Sequence, residues 1–195
     1  MIASRALTAF LAAIKDYHAQ TVLDIPCSKP CLTLTDQFYH KAWIDTVQWH
    51  LEDEIRRTDL DASEVLALKR RIDALNQART NAVEAIDKLL HVDLQPNAPL
   101  DANSLRTESL GWALDRLCIL QLKRFHMAEE AARGGEHGLR VMPRLEILNR
   151  QSEHLEAAID SLAEELRTGA VMYMRYEQHK LYNDPDTNPA LYRVS

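Results

Sequence analysis

Apolar residues recur along most of this chain at the three-and-four spacing of an amphipathic helix, and the pattern breaks where Pro and Gly cluster. The stretch Ile2 to Ala19 predicts a first helix, its apolar residues gathered on one face. Pro26 and Pro30 mark a loop, after which Thr33 or Thr35 can cap a second helix running to about Arg57. Ser63 can cap a third, to about His91, and Pro96 and Pro99 mark the next connection. A fourth helix is expected from Ser104 to Ala132, stopped by the Gly134–Gly135 pair. A fifth runs from Pro143, a residue suited to a first turn, to Arg167. A short sixth is expected from Val171 to Leu181, before a tail with Asp184–Pro185 and Asn188–Pro189.

The expected fold is all-α: a single domain over residues 1–195, an antiparallel bundle of five to six helices with an ordered irregular C-terminal extension. Pro185 and Pro189 stop a regular helix there. Tyr182, Leu191 and Tyr192 would be costly to leave in water, so the extension is expected to pack back, with Tyr182 or Tyr192 on the helices and Lys180 or Arg175 near the polar cluster.

Helical wheels show where that pattern is violated. In the second helix His50 and Glu54 fall inside the arc of Trp43, Val47, Leu51 and Ile55. In the third, Arg79 sits at the centre of the apolar arc, with Asn76 and Asp87 at its edge. The fourth helix is apolar almost all round, which marks it as central. Yet Glu108, Asp115 and His126 fall within about 20° of one another on its wheel, flanked by Arg116 and Lys123. The fifth is a clean leucine stripe in which only Ser152 and Arg144 intrude. Buried charges must be paired, ligated or wet, because an uncompensated one costs several kcal/mol.

Composition narrows the reading further. Of the residues, 46% are hydrophobic and 27% charged, which excludes a disordered chain, and 5 Gly with 7 Pro argue against a turn-rich β sandwich. The net charge of -6 leaves no global attraction for a nucleic acid, and the Lys69–Arg71 run is flanked by Glu64 and Asp73. Three cysteines fit a reducing, cytoplasmic setting better than a disulfide framework, and Cys27 and Cys31 lack the further ligands of a zinc site. The first apolar stretch is too short for a signal peptide, and no segment has the length of a membrane span.

Three readings of the misplaced polar residues stand side by side. In the first, Arg79, Arg116 and Lys123 pair with Asp87, Asp115, Glu108 and Glu54 in a purely structural network of an interaction or assembly protein. In the second, His50, Glu54, Asp87, Asp115 and His126 build a divalent-metal site, with Glu54, Asp87 and Asp115 as the ligands of Mg or Mn. In the third, Arg79, Arg116 and Lys123 grip a phosphate or carboxylate while His50, Glu54 or His126 moves a proton. The expectation is that His50, Glu54, Arg79, Asp87, Asp115, Lys123 and His126 converge as a site for an anionic small molecule, a nucleotide or nucleotide sugar. Whether the protein is an enzyme stays open, and a homo-oligomer is compatible with every reading.

Several words of the chain carry a family resemblance. The run Trp43–Ile44–Asp45–Thr46–Val47–Gln48–Trp49–His50–Leu51–Glu52–Asp53–Glu54, then Asn76–Gln77–Ala78–Arg79–Thr80 and Glu84–Ala85–Ile86–Asp87, resembles domain of unknown function 4254. So do Asp115–Arg116, Lys123–Arg124–Phe125–His126–Met127, and the ending Lys180 to Tyr192. The resemblance implies no established activity; genes of this kind often lie near those for surface-polysaccharide glycosyltransferases, which is an association. At the level of site type, Glu84–Ala85–Ile86–Asp87 is similar to the second magnesium-binding pair of all-α nucleotide pyrophosphohydrolases. Arg79, Arg116 and Lys123 are similar to the dianion grip of chorismate-mutase-like bundles.

Overall fold

The structure, a computed structural model, describes residues 1–94, 104–175, 177–178 and 184–192. The described elements are α1 (Ile2–His18), α2 (Leu34–Glu54), α3 (Ala62–Asp93), β1 (Leu105–Arg106), α4 (Leu110–Ala132), α5 (Gly135–Thr168), β2 (Met172–Tyr173) and α6 (Pro189–Tyr192). The fold is an all-α bundle, as the periodicity predicts.

Helices α2, α3 and α4 each start where a side-chain cap dictates. Thr33 and Asp36 form a capping box at α2, the Thr33 hydroxyl accepting from the Asp36 N–H at 3.2 Å and Asp36 accepting from the Thr33 N–H at 2.8 Å. Asp61 and Glu64 do the same for α3, two residues before the expected Ser63. Ser109 caps α4 through the Trp112 N–H, so α4 begins at Leu110 and not at Ser104. Gly134 and Gly135 both take positive φ, the backbone state that turns the chain from α4 into α5.

Helix α4 lies against α1, α2, α3 and α5, which is why it is apolar almost all round. Small residues let α1 approach closely: Ala3, Ala6, Ala9 and Ala13 are buried with Phe10, Ile14 and Tyr17. Phe10 meets Phe38 of α2 edge to face, with ring centroids 5.8 Å apart. The polar intruder of α5, Ser152, is buried and accepts from Gln121 Nε2 of α4 at 3.0 Å.

Three boundary expectations are corrected. Helix α5 starts eight residues before Pro143, which lies inside it and forfeits one backbone donor; the added turns bury Gly138 and Val141. Residues 104–106 are extended and not helical. Beyond Gly169, where the expected helix 171–181 would begin, Val171 and Tyr173 are buried with Met172 between them half-buried. That is the period of a strand, and Met172–Tyr173 pairs in parallel with Leu105–Arg106.

Tyr173 then donates a hydrogen bond to Asp87 Oδ1 of α3 at 3.0 Å, and the Gly111 N–H of α4 donates to the same oxygen at 2.9 Å. Asp87 thus joins α3, β2 and the start of α4. Burial, and then the Asp87 carboxylate, raise the Tyr173 phenol well above its usual value near 10. The folded state therefore favours the protonated phenol, a contribution fully present below pH 10 and lost as pH climbs beyond it. Tyr173→Phe is expected to cost about 1 kcal/mol at neutral pH and to flatten the alkaline fall in stability. Urea unfolding at pH 7.5 and pH 11 measures both; an unchanged alkaline fall would count against the assignment.

The extension is described in pieces. The Gln178 N–H donates to Glu84 Oε1 of α3 at 2.8 Å, and Arg175 and Glu177 flank Glu84, Asp87 and Lys88. Residues 184–188 form a turn with the Asn188 N–H on the Asp184 carbonyl at 2.9 Å, and Leu191 is exposed. Lys180, Tyr182 and the Tyr192 side chain lie outside the described residues.

Candidate functional site

The innermost polar group starts on α2. Lys41 is 1% exposed and pairs with Asp45 one turn on, and with Asp115 Oδ1 of α4 at 2.8 Å. Arg79 of α3 forks onto Asp115, Nε to Oδ1 at 2.9 Å and Nη2 to Oδ2 at 2.6 Å, and its Nε lies 3.5 Å from Asp45 Oδ1. Two cations and two carboxylates thus alternate around a closed ring. Burial works against the charge on Lys41, but Asp45 and Asp115 outweigh it and raise its pKa. Burial likewise opposes ionisation of Asp115, and Lys41 with Arg79 overcomes it, holding that carboxyl low. Burial pushes Asp45 up and the neighbouring Cys118 thiol far up.

Arg79 carries this ring to the surface. Its side chain remains 27% exposed and borders a cleft of about 790 Å³ between α3, α4 and α5. The cleft has walls of Trp112, Ile119, Leu120, Ile147 and Leu155, and polar edges of Arg79, Arg116, Lys123, Arg150 and His154. Arg116 pairs with Glu108 at 2.7 Å, and Arg79 is held by Asp115. Lys123 and Arg150 have no carboxylate partner among the described residues. On the other side of Arg79 a hollow of about 250 Å³ is lined by Asp45, Gln48, Trp49 and Glu52.

A second cluster lies at the ends of other turns. His18 of α1, His50 of α2 and His126 of α4 each bring one ring nitrogen within 4.8 Å of the others. His50 Nε2 is 3.1 Å from His18 Nε2. Tyr17 stacks on His50 at 5.2 Å, Trp49 on His126 at 5.1 Å, and Phe125 leans on His18 at 4.2 Å. Burial, then the adjacent imidazoles, lower the pKa of His50; burial, then His18, lower that of His126.

A family model described as "Protein of unknown function (DUF4254)" matches residues 35–174. The chain belongs to DUF4254. The matched segment contains the whole ionic ring, every residue of the main cleft, and His50 and His126; His18 precedes it and the words from Lys180 to Tyr192 follow it. No curated protein and no solved structure matches the chain.

In this DUF4254 chain the expected convergence of seven residues resolves into separate places. Arg79 and Asp115 meet, and Arg79, Arg116, Asp115 and Lys123 share the main cleft. His50 and His126 meet each other but do not line that cleft. Glu54 pairs with Arg57 at the half-exposed end of α2, and Asp87 serves Gly111 and Tyr173. Glu54, Asp87 and Asp115 therefore do not form one ligand set, and the likeness of Glu84 and Asp87 to a magnesium pair finds no facing partner pair among the described residues. The expected structural network also changes members: Lys41 and Asp45 complete it, while Lys123 stays outside it.

Two features of the sequence are ambiguous. Lys41, Asp45, Gln48 and Glu52 form a polar stripe with an i,i+4 ion pair, which reads as a solvent face. His18 sits in the last turn of α1, where a basic residue ordinarily serves the helix dipole.

Proposed function

We propose that the cleft between α3, α4 and α5 binds an anionic small molecule bearing a flat or ring-shaped group, of the nucleotide or nucleotide-sugar class. The observation that carries this reading is the pair of unmatched cations, Lys123 and Arg150, beside the anchored Arg79 and Arg116 in a chain of net charge -6. Cations held side by side repel one another, and a bound anion removes that cost. The Arg79 guanidinium is fixed in direction by the Asp115 fork, so little side-chain entropy remains to be lost on binding. Trp112 and Ile147 supply an apolar wall on which a ring can lie, and the volume suits a drug-sized ligand. Asp115 is the one expected metal ligand that borders the cleft, and Lys41 and Arg79 already claim it, so the grip on the anion is ascribed to the cations themselves.

A thermal-shift panel of inorganic phosphate, nucleoside mono- and diphosphates and nucleotide sugars tests this. A true ligand at a hundred times its Kd stabilises the fold by about 2.7 kcal/mol, and the shift shrinks with salt. Lys123→Ala with Arg150→Ala is expected to abolish the shift while leaving the unliganded melting temperature within a degree or two. No shift at millimolar concentration across the panel would reject the reading.

The alternative, an assembly module, draws on the exposed Leu139 and Met142 of α5. A dimer in solution that dissociates on Leu139→Glu would favour it.

A further inference from the structure

We propose that His18, His50 and His126 form a binding site for a borderline transition-metal ion, with Zn²⁺ as its representative. This site is separate from the cleft and does not depend on its ligand.

His18 Nδ1 lies 2.7 Å from the Ile14 carbonyl, which can only accept, so this nitrogen holds the hydrogen and Nε2 presents its lone pair. His126 Nδ1 lies 3.2 Å from Glu129 Oε2, and the same logic leaves its Nε2 as a lone pair. That Nε2 is buried and has no hydrogen-bond partner among the described residues. A buried acceptor left unpaired costs about 1–3 kcal/mol, so something is missing in front of it. His50 Nε2 faces His18 Nε2 at 3.1 Å. Two nitrogens bound to one tetrahedral ion at about 2.05 Å stand about 3.3 Å apart, so this pair is already at ligand spacing. A ring nitrogen of His126 stands within 4.8 Å of the other two, close enough for an ion to draw the three together by small shifts.

The supports are those of a metal centre. Each ligand that binds through Nε2 needs an acceptor behind its Nδ1 to hold the ring, and the Ile14 carbonyl and Glu129 carboxylate supply two of these. The ligands come from α1, α2 and α4, so the ion would join three helices. Tyr17, Trp49 and Phe125 form an aromatic jacket that limits ring motion. Three imidazoles select zinc, cobalt, nickel or copper; magnesium and manganese prefer the oxygen ligands that this cluster lacks. Three protein nitrogens leave a fourth tetrahedral position for water or another ligand.

The test uses the whole 195-residue chain stripped with chelator and then loaded with Co²⁺ or Zn²⁺ alone. The expected results are a visible cobalt absorption band that Zn²⁺ bleaches, about one zinc per chain after gel filtration, and a rise in melting temperature that chelator reverses. His50→Ala and His126→Ala should each abolish the band, while His137→Ala on the surface should not. Glu129→Gln keeps all three ligands and should weaken zinc about tenfold, which tests the site even where an alanine variant folds poorly. No cobalt band, or a zinc content equal to that of the His18→Ala/His50→Ala double variant, would overturn the proposal and leave the three rings an aromatic packing cluster.

Discussion

Asp115→Ala is expected to remove about 3–5 kcal/mol of folding stability, the range for breaking a buried ion pair by deleting one partner. Two cations lean on this carboxylate at once: Lys41 at 2.8 Å and the Arg79 fork at 2.6 and 2.9 Å. Lys41 is 1% exposed and cannot turn to water, so with Asp115 gone two cations share Asp45 alone. Solvent softens the loss at Arg79, whose side chain is 27% exposed, and leaves it nearly whole at Lys41. Replacing Lys41 by Met together with Asp45 by Leu has a different expectation. The balanced Arg79–Asp115 pair survives, and an apolar pair of similar volume in place of buried charges is near neutral, within about 1 kcal/mol. Urea unfolding of the two variants reads the contrast. A loss under about 1 kcal/mol for Asp115→Ala would show that water, and not the ring, satisfies these charges.

The separation of the polar residues into a ring, a cleft and a histidine cluster follows from a limit of the helical wheel. A wheel gives the angle of a side chain and discards its height, while each residue advances about 1.5 Å along the axis. Asp115 and His126 share a face of α4 but stand about 16 Å apart along it, and Arg79 and Asp87 stand about 12 Å apart on α3. Packed neighbours then join residues of equal height: Arg79 reaches Asp115 and Asp87 reaches Gly111 across the antiparallel α3 and α4, and His50 reaches His126 across the parallel α2 and α4. The wheel puts Asp87 and Asp115 on inward faces, and both are buried; which residues meet depends on helix registry, and that is a product of packing.

The same division explains the fold boundaries. Thr33, Ala132 and Gly134 are legible because a cap or a left-handed turn is a local event. The strand 172–173 is not, since its partner lies more than sixty residues earlier and the local Val-Met-Tyr run suits helix or strand. The polar stripe from Lys41 to Glu52 misleads for a related reason. On an outer helix it would face water, but α2 is enclosed by α1, α3 and α4, and its first stripe residues have no solvent to face.

Gly111→Ala is the second substitution expected to act strongly, at a cost of about 2–3 kcal/mol. A Cβ built on Gly111 would lie 2.9 Å from the Val83 carbonyl oxygen and 2.9 Å from Asp87 Cβ, inside any real contact distance. Neither neighbour can yield cheaply. The Val83 oxygen belongs to the backbone of α3, and Asp87 is held by the Gly111 N–H and the Tyr173 hydroxyl. The methyl group must therefore part α3 from α4, stretching the bond from Gly111 to Asp87 and loosening Tyr173 behind it. Alanine's better helix propensity returns at most about 1 kcal/mol, less than the loss. Because all three groups meet at one carboxylate, Gly111→Ala and Tyr173→Phe should not add: the double variant is expected to lose less than the two single losses combined. Chemical unfolding of the four proteins measures this coupling. Full stability in Gly111→Ala would mean that the two helices part at no cost and that Asp87 does not hold them together.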